Sequence, residues 1–415
     1  MKVPQSALVM AAAVSLLGET AANLFIQSPK RLIEMFKGEE GKKGLLRANF
    51  ANFGLIPYGH SMIGKVYYST EYGDLCDPLP DGFLDTITGR GDYQNDEEVS
   101  FNDILGVPFM IANRGGCSFV QKVRNMEDAG FALGIVVDDS EENIDEIIMS
   151  DDGTGAGLRI PSLLVSKRDG LKLIDFIETA SSEELSQMIM IADFNIQRPD
   201  NRVEYDFWYT SSDQLSLDFI QDFSKLDRRL GDSVLMTPRF VFWECIDCDP
   251  EYVAKHCYGG GKYCAIDQSQ SLPGKDIVME DLRQMCVYQQ AYGPEESWKR
   301  KMYWDYMKTV HQECDNQIDE MCSELGHKEV KGLDWAATQR CVKESFSSPD
   351  QERWNEVGVN NTLIDRDVEY WWKYGTAIYP SIIINNNTYR GQLETQAVFN
   401  ALCAGFRDPP KPCQQ

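Results

Sequence analysis

The chain has 415 residues, 43% of them apolar, which is more than one ordinary core needs and enough for two. Sixty-five Asp and Glu against 40 Lys and Arg give a formal charge of −25, so nucleic acid and anionic membrane surfaces are repelled and polyanion partners are excluded. The four histidines lack zinc spacing, and neither a Gly-x-Ser-x-Gly elbow nor a phosphate-binding Gly-x-x-x-x-Gly-Lys loop occurs, which removes metal-hydrolase, serine-hydrolase and nucleotide chemistry.

Lys2, the apolar run Ala7–Leu17 and the small residues up to Ala22 read as a secretory signal peptide over residues 1–22. No later window approaches the roughly 20 apolar residues of a membrane span. From residue 23 to 197, short β-rich runs (Val66–Tyr68, Val107–Ile111, Ala132–Val137, Leu163–Val165) alternate with helical segments, which predicts one mixed α/β domain. After the run ending at Ile111 comes Arg114-Gly115-Gly116-Cys117-Ser118-Phe119, then a helix whose Phe119, Val123 and Met126 share one face. Glycines at a strand-to-helix turn admit positive φ and close approach of a ligand backbone. The helix start offers unpaired N–H groups, and an arginine there can fork onto a carboxylate. The geometry suits peptide capture rather than bond breaking. The eight carboxylates of Asp138–Asp152 read as a solvated loop, with Asp138-Asp139 and Asp151-Asp152 weighed as calcium ligands against the absence of an EF-hand pattern.

Arg198-Pro199-Asp200-Asn201 marks a domain boundary, and ten of the twelve cysteines follow it. Residues 198–415 open with an amphipathic helix carrying Phe219, Phe223, Leu226 and Leu230. A strand over Arg239–Trp243 then runs into Cys245-Ile246-Asp247-Cys248, as in a thioredoxin fold. A cysteine- and aromatic-rich insert follows, with a Trp298, Met302, Tyr306 stripe at helical spacing. Tyr379-Pro380 before Ser381–Ile384 has the place of a cis-proline leading into a closing hairpin, and Thr395–Cys403 reads as the last helix. An even cysteine set in a chain entering the oxidising pathway predicts mostly disulfides. Two sequons, at Asn360 and Asn386, fit glycosylation in the same compartment.

These segments, with Asn52-Phe53-Gly54, Pro57-Tyr58-Gly59, Gly259–Ala265, Gly274-Lys275-Asp276, Leu282–Cys286 and Cys403–Arg407, resemble the luminal part of vacuolar sorting receptors across nearly the whole mature chain. The resemblance implies a protease-associated (PA) domain over 23–197, then a thioredoxin-like domain with a cysteine-rich helical insertion over 198–415. It implies that the PA domain binds sorting peptides of soluble vacuolar or lysosomal proteins in the Golgi or endosomal lumen. Arg114, Gly115, Gly116, Cys117, Ser118 and Phe119 would form the cargo-binding loop, with Cys76 bonded to Cys117. No cofactor is implied. Family members usually continue into epidermal-growth-factor-like repeats, a membrane helix and a cytosolic tail. A chain ending at Gln415 is then expected to be a truncated gene product or a soluble binder working with a membrane-anchored partner.

Three residue sets keep two readings each. Arg114 is either the recognition residue or a solvated arginine beside a structural disulfide. Cys245 and Cys248, a departure from the family pattern, are either a redox pair opposite Pro380, making the chain a luminal thiol-disulfide oxidoreductase, or a structural bridge, to each other or to Cys257 and Cys264. The aromatic group Tyr370, Trp371, Trp372 and Tyr374 is either a binding patch or core.

Overall fold

A computed structural model describes residues 21–36, 43–88, 106–265, 272–291, 300–314, 318–374 and 378–414. All but the last two residues of the expected signal peptide, and Trp298 of the aromatic stripe, lie outside them. Two compact units are present. One holds the described residues ahead of Arg198 together with Tyr389–Ala404, and the other holds Arg198–Thr388 with the segment from Gly405.

In the first unit seven strands close into a barrel: β1 (Ala21–Ser28), β2 (Leu45–Phe50), β3 (Ser61–Tyr67), β4 (Val107–Asn113), β5 (Leu133–Val137), β6 (Ser162–Val165) and β7 (Ile189–Asp193), in the order β1-β2-β6-β5-β4-β3-β7. The run β3-β4-β5-β6 is parallel, and such strands are buried on both faces. Accordingly, every residue of β5 is buried. Ile135 and Val137 face the barrel interior with Phe109, Ile111 and Leu163, while Val136 packs outward with Val120 and Val123. The latter two belong to α3 (Phe119–Asp128), which follows α1 (Lys30–Met35) and α2 (Phe83–Thr88) and precedes α4 (Lys167–Thr179) and α5 (Ser182–Ser186). Within this unit the Tyr58 hydroxyl accepts a 2.8 Å hydrogen bond from the backbone N–H of Arg390.

The second unit is built on a four-stranded sheet, β13-β12-β8-β9, from β8 (Val203–Tyr209), β9 (Val234–Phe240), β12 (Ser381–Ile384) and β13 (Asn387–Thr388). Parallel β8 and β9 need a crossover, which α6 (Gln214–Leu230) supplies by burying Phe219, Phe223 and Leu230. The expected strand over Arg239–Trp243 starts earlier and stops at Phe240, because its register partner β8 ends at Tyr209. Beyond it lie α7 (Pro250–His256) and the hairpin β10 (Cys257–Tyr258) and β11 (Tyr263–Cys264). The helical insertion comprises α8 (Gly274–Ala291), α9 (Arg300–Cys314), α10 (Glu320–Glu329) and α11 (Trp335–Ser345). Cys286–Cys341 staples α8 to α11, and Cys314–Cys322 ties α9 to the start of α10. α12 (Thr362–Tyr374) packs its Trp371 edge-on to Trp208 of the sheet, whereas α13 (Thr395–Ala404) belongs to the first unit. A buried ion cluster joins sheet and helix: Arg239 donates to Asp367 at 3.0 Å and lies 3.5 Å from Asp206. The Tyr379–Pro380 peptide is cis and leads directly into β12.

Candidate functional site

The turn after β4 begins where two parallel strands run out together. β4 and β5 pair with a fixed offset, Phe109 with Leu133 through Asn113 with Val137, so the next residues in register are Arg114 and Asp138. The Arg114 backbone N–H still donates to Val137 O at 2.8 Å, and its guanidinium Nη1 donates to Asp138 Oδ1 at 2.6 Å. Asp139 stands 3.4 Å from Nε, and the guanidinium lies over the Phe119 ring at 5.5 Å. The arginine side chain stays 32% exposed, whereas the Asp138 side chain is fully buried. Asp138 is therefore not part of a solvated loop. Burial opposes its charge, but hydrogen bonds from Ser140 and Arg114 outweigh that and hold its carboxyl below the usual value.

Gly115 and Gly116 take φ of +101° and +78°, and a Cβ on Gly116 would sit 2.9 Å from Cys76 Sγ. No side chain fits there. Cys117 is bonded to Cys76. Ser118 caps α3 by accepting from Gln121 N–H at 3.1 Å, and its hydroxyl also holds the carboxyl of Asp152 below its ordinary value. Asp152 in turn accepts from Thr154 N–H, and Asp151 accepts from Gly153 and Gly155, so this second aspartate pair builds turns. Both ends of the acidic run thus return to the arginine turn, where they form a carboxylate rim with Asp139.

Lys122 is the residue that sequence reading missed. It falls on the buried stripe of α3, at 0% exposure, and its Nζ donates to the carbonyls of Gly115 (2.6 Å) and Asp74. Both sulfurs of the Cys76–Cys117 bridge lie within 3.5 Å of it. Burial lowers its pKa. A lysine interrupting an apolar helical stripe was the available signal, since such a charge is buried only when its hydrogen bonds are met. It fastens the turn from below.

In the second unit Cys245 is bonded to Cys248, and Cys257 to Cys264 across the β10–β11 hairpin. None of the twelve cysteines is free. Cys245 is buried at 9% exposure, with its N–H on Gly261 O at 2.8 Å, and Cys248 is half-buried. The start of α7 is capped by Asp249, which accepts from Tyr252 N–H at 2.8 Å. Among the acceptor asparagines, Asn360 and Asn386 are both exposed. Trp371 is half-buried, edge-on to Trp208, while Trp372 is 76% exposed.

Among the described residues no helix is long and apolar enough to cross a membrane. The PA domain family matches residues 75–173, and the vacuolar sorting receptor thioredoxin-like domain matches residues 203–403. Vacuolar-sorting receptor 1 of Pisum sativum is 28% identical over 393 residues, covering 89% of this chain and 58% of its own length. Vacuolar-sorting receptor 4 of Arabidopsis thaliana is 29% identical over 397 residues, covering 90% and 59%. The chain spans a little under three fifths of these relatives. Oxidised BdbD of Bacillus subtilis matches 50% of this chain and 89% of its own at 12% identity and a TM-score of 0.31, a likeness too weak to bear on function. The resemblance read from the sequence therefore holds: this mixed α/β chain joins a PA domain to a vacuolar sorting receptor thioredoxin-like domain.

Proposed function

We propose that the chain is a cargo-binding protein of the secretory pathway whose PA domain captures peptide segments of soluble cargo at the Arg114–Phe119 turn, for transport to the vacuole. The observation that carries this reading is a guanidinium fixed by Asp138 and Phe119 on a disulfide-anchored turn while a third of its side chain faces solvent. Donors held in place lose little entropy on binding. The partner differs from the one expected. Arg114 spends its Nη1 on the chain's own Asp138 and its Nε lies beside Asp139, and Asp139 and Asp152 would repel a ligand carboxylate. Its remaining N–H groups suit a peptide carbonyl, and the acidic rim favours a basic residue beside it.

The test is calorimetry with peptides panned from a random hexapeptide library on the intact chain. Arg114→Lys keeps a cation for Asp138 but loses the planar fork, so the fold survives while affinity drops about tenfold or more, from a charge-assisted bond of roughly 1.5–3 kcal/mol. Unchanged affinity in the folded variant, or a library that yields no binder, overturns the reading.

The alternative, a luminal thiol-disulfide oxidoreductase, draws on the bonded Cys245–Cys248 pair in the segment between β9 and α7. The attacking thiol of such an enzyme must be accessible and its thiolate stabilised. Here Cys245 is the more buried of the two, and Asp249 occupies the helix start that would stabilise it. An insulin-reduction assay is expected to show no turnover; turnover lost in Cys248→Ser would restore the enzyme reading.

A further inference from the structure

The Cys76–Cys117 bridge under the Arg114 turn differs from other bridges of the chain in what surrounds its sulfurs. Cys257, Cys264, Cys286 and Cys314 are each 7% exposed or less, so three of those bridges have at least one shielded half. Cys76 and Cys117 are both half-buried. Beside them Gly116 is exposed and carries no side chain to lay over Cys76 Sγ, so a small thiol can approach Cys76 across that glycine.

Lys122 supplies the second difference. Its Nζ lies 3.4 Å from Cys76 Sγ and 3.5 Å from Cys117 Sγ. The side chain is fully buried, donates to two carbonyls and forms no ion pair among the described residues. Burial lowers its pKa, and the charge of Asp74 opposes that only in part. Holding two carbonyls needs donors rather than a charge, and a neutral amide would serve without the cost of burying an unpaired ammonium. A buried cation against two bonded sulfurs is matched once one of them becomes a thiolate.

Cys117 is the sulfur placed to do so. It immediately precedes Ser118, the N-cap of α3, so the helix start and Lys122 both favour its thiolate. Cys76 sits next to Asp77, and its N–H donates to the Asp74 carboxylate at 3.2 Å, which disfavours negative charge on that side.

We propose that Cys76–Cys117 is a thiol-exchange site for small monothiols of the glutathione class, with Lys122 as counter-ion to the departing Cys117 thiolate. The incoming thiolate attacks Cys76 Sγ, the Cys76–Cys117 bond breaks, and its electron pair leaves on Cys117 Sγ. A second thiolate then attacks the monothiol's sulfur in the mixed disulfide, giving the oxidised monothiol dimer and a Cys76 thiolate that takes a proton from water. Two monothiols are oxidised and one bridge is reduced. Opening it cuts the tie between the 74–76 segment and the turn, so the backbone that presents Arg114 loosens and affinity for peptide falls. That consequence rests on peptide capture at Arg114, whereas the exchange chemistry does not. The half-buried sulfurs admit a monothiol but not the chain of another protein, so no insulin turnover follows.

The test places the intact chain in glutathione, alkylates free thiols after timed intervals and locates them by peptide mass spectrometry. Cys76–Cys117 should open about tenfold or more faster than Cys286–Cys341, and once opened Cys117 should alkylate about tenfold or more faster than Cys76 at neutral pH. Both rates are read on the wild-type chain, whether or not a variant folds. Lys122→Met should open about threefold to tenfold more slowly, and Lys122→Arg at nearly the wild-type rate. A lysine that only fastened the turn would give the reverse, a looser bridge that opens faster in Lys122→Met. Peptides panned on the oxidised chain should bind about tenfold more weakly after opening and regain affinity in oxidised glutathione. The inference is overturned if Cys76–Cys117 opens no faster than Cys286–Cys341, if Lys122→Met opens as fast as wild type or faster, or if peptide affinity ignores the opening. A library without binders instead overturns peptide capture, and the alkylation rates still decide the exchange.

Discussion

Asp206 is a carboxylate whose charge the interior resists. It sits on β8 with a side chain 13% exposed, 3.5 Å from the Arg239 guanidinium, but Asp367 takes that guanidinium at 3.0 Å and competes for it. Burial, only partly offset by Arg239, raises its pKa to about 6. An unfolded Asp titrates near 3.9. Between roughly pH 4 and pH 6 the folded chain therefore holds a proton that the unfolded chain has released, so stability falls as pH rises through that window. The shift corresponds to about 3 kcal/mol at most. In urea unfolding, wild type should gain on Asp206→Asn by about 2 kcal/mol on going from neutral pH to about pH 4.5. A difference that stays flat across this range would show that Asp206 keeps an ordinary pKa.

At the level of elements, legibility followed how much a segment depends on itself. The β4 and β5 runs are continuous apolar stretches, and the α3 stripe has helical period, so each was readable from neighbours in sequence; the buried Phe109–Ile111 and Leu133–Val137 match that reading. β1 was hidden because its apolar residues adjoin a signal-like segment, although Leu24 and Ile26 alternate into the barrel core. The last strand of the barrel, β7, has only five residues, too few for a periodic pattern to declare itself. The partner of Arg114 was invisible for a different reason. Residues 114 and 138 meet only because β4 and β5 lie in parallel with that register, and register is a long-range property. One trace of it is local: each strand is followed directly by a charged residue, Arg114 after β4 and Asp138 after β5, and the two charges have opposite sign. The glycine turn was legible because positive φ leaves few other residues to choose from. Lys122 shows the converse, where a correct helical period was read without asking what its one charged member on the buried side would bond to.

Across the whole molecule, a formal charge of −25 acts at distances where no contact is made. The rim at the Arg114 turn, with Asp139 and Asp152, has the same sign as that field, so global and local electrostatics favour the same class of ligand: a peptide with Lys or Arg. Fields of this kind raise association rates by roughly 10-fold to 1,000-fold when screening is weak. The Debye length is about 30 Å at 0.01 M salt and about 8 Å at 0.15 M, so most of the molecule's charge drops out of range of an approaching peptide over that interval. For basic peptides selected on the chain, the association rate constant should then fall at least several-fold across the interval, while the dissociation rate, set by short contacts, changes less. Arg114→Lys preserves every formal charge and should keep the same salt slope at a lower affinity, which separates steering by the field from recognition by the fork. An association rate indifferent to salt would mean that the peptide reaches the turn without the field, and that the carboxylate rim acts only after contact.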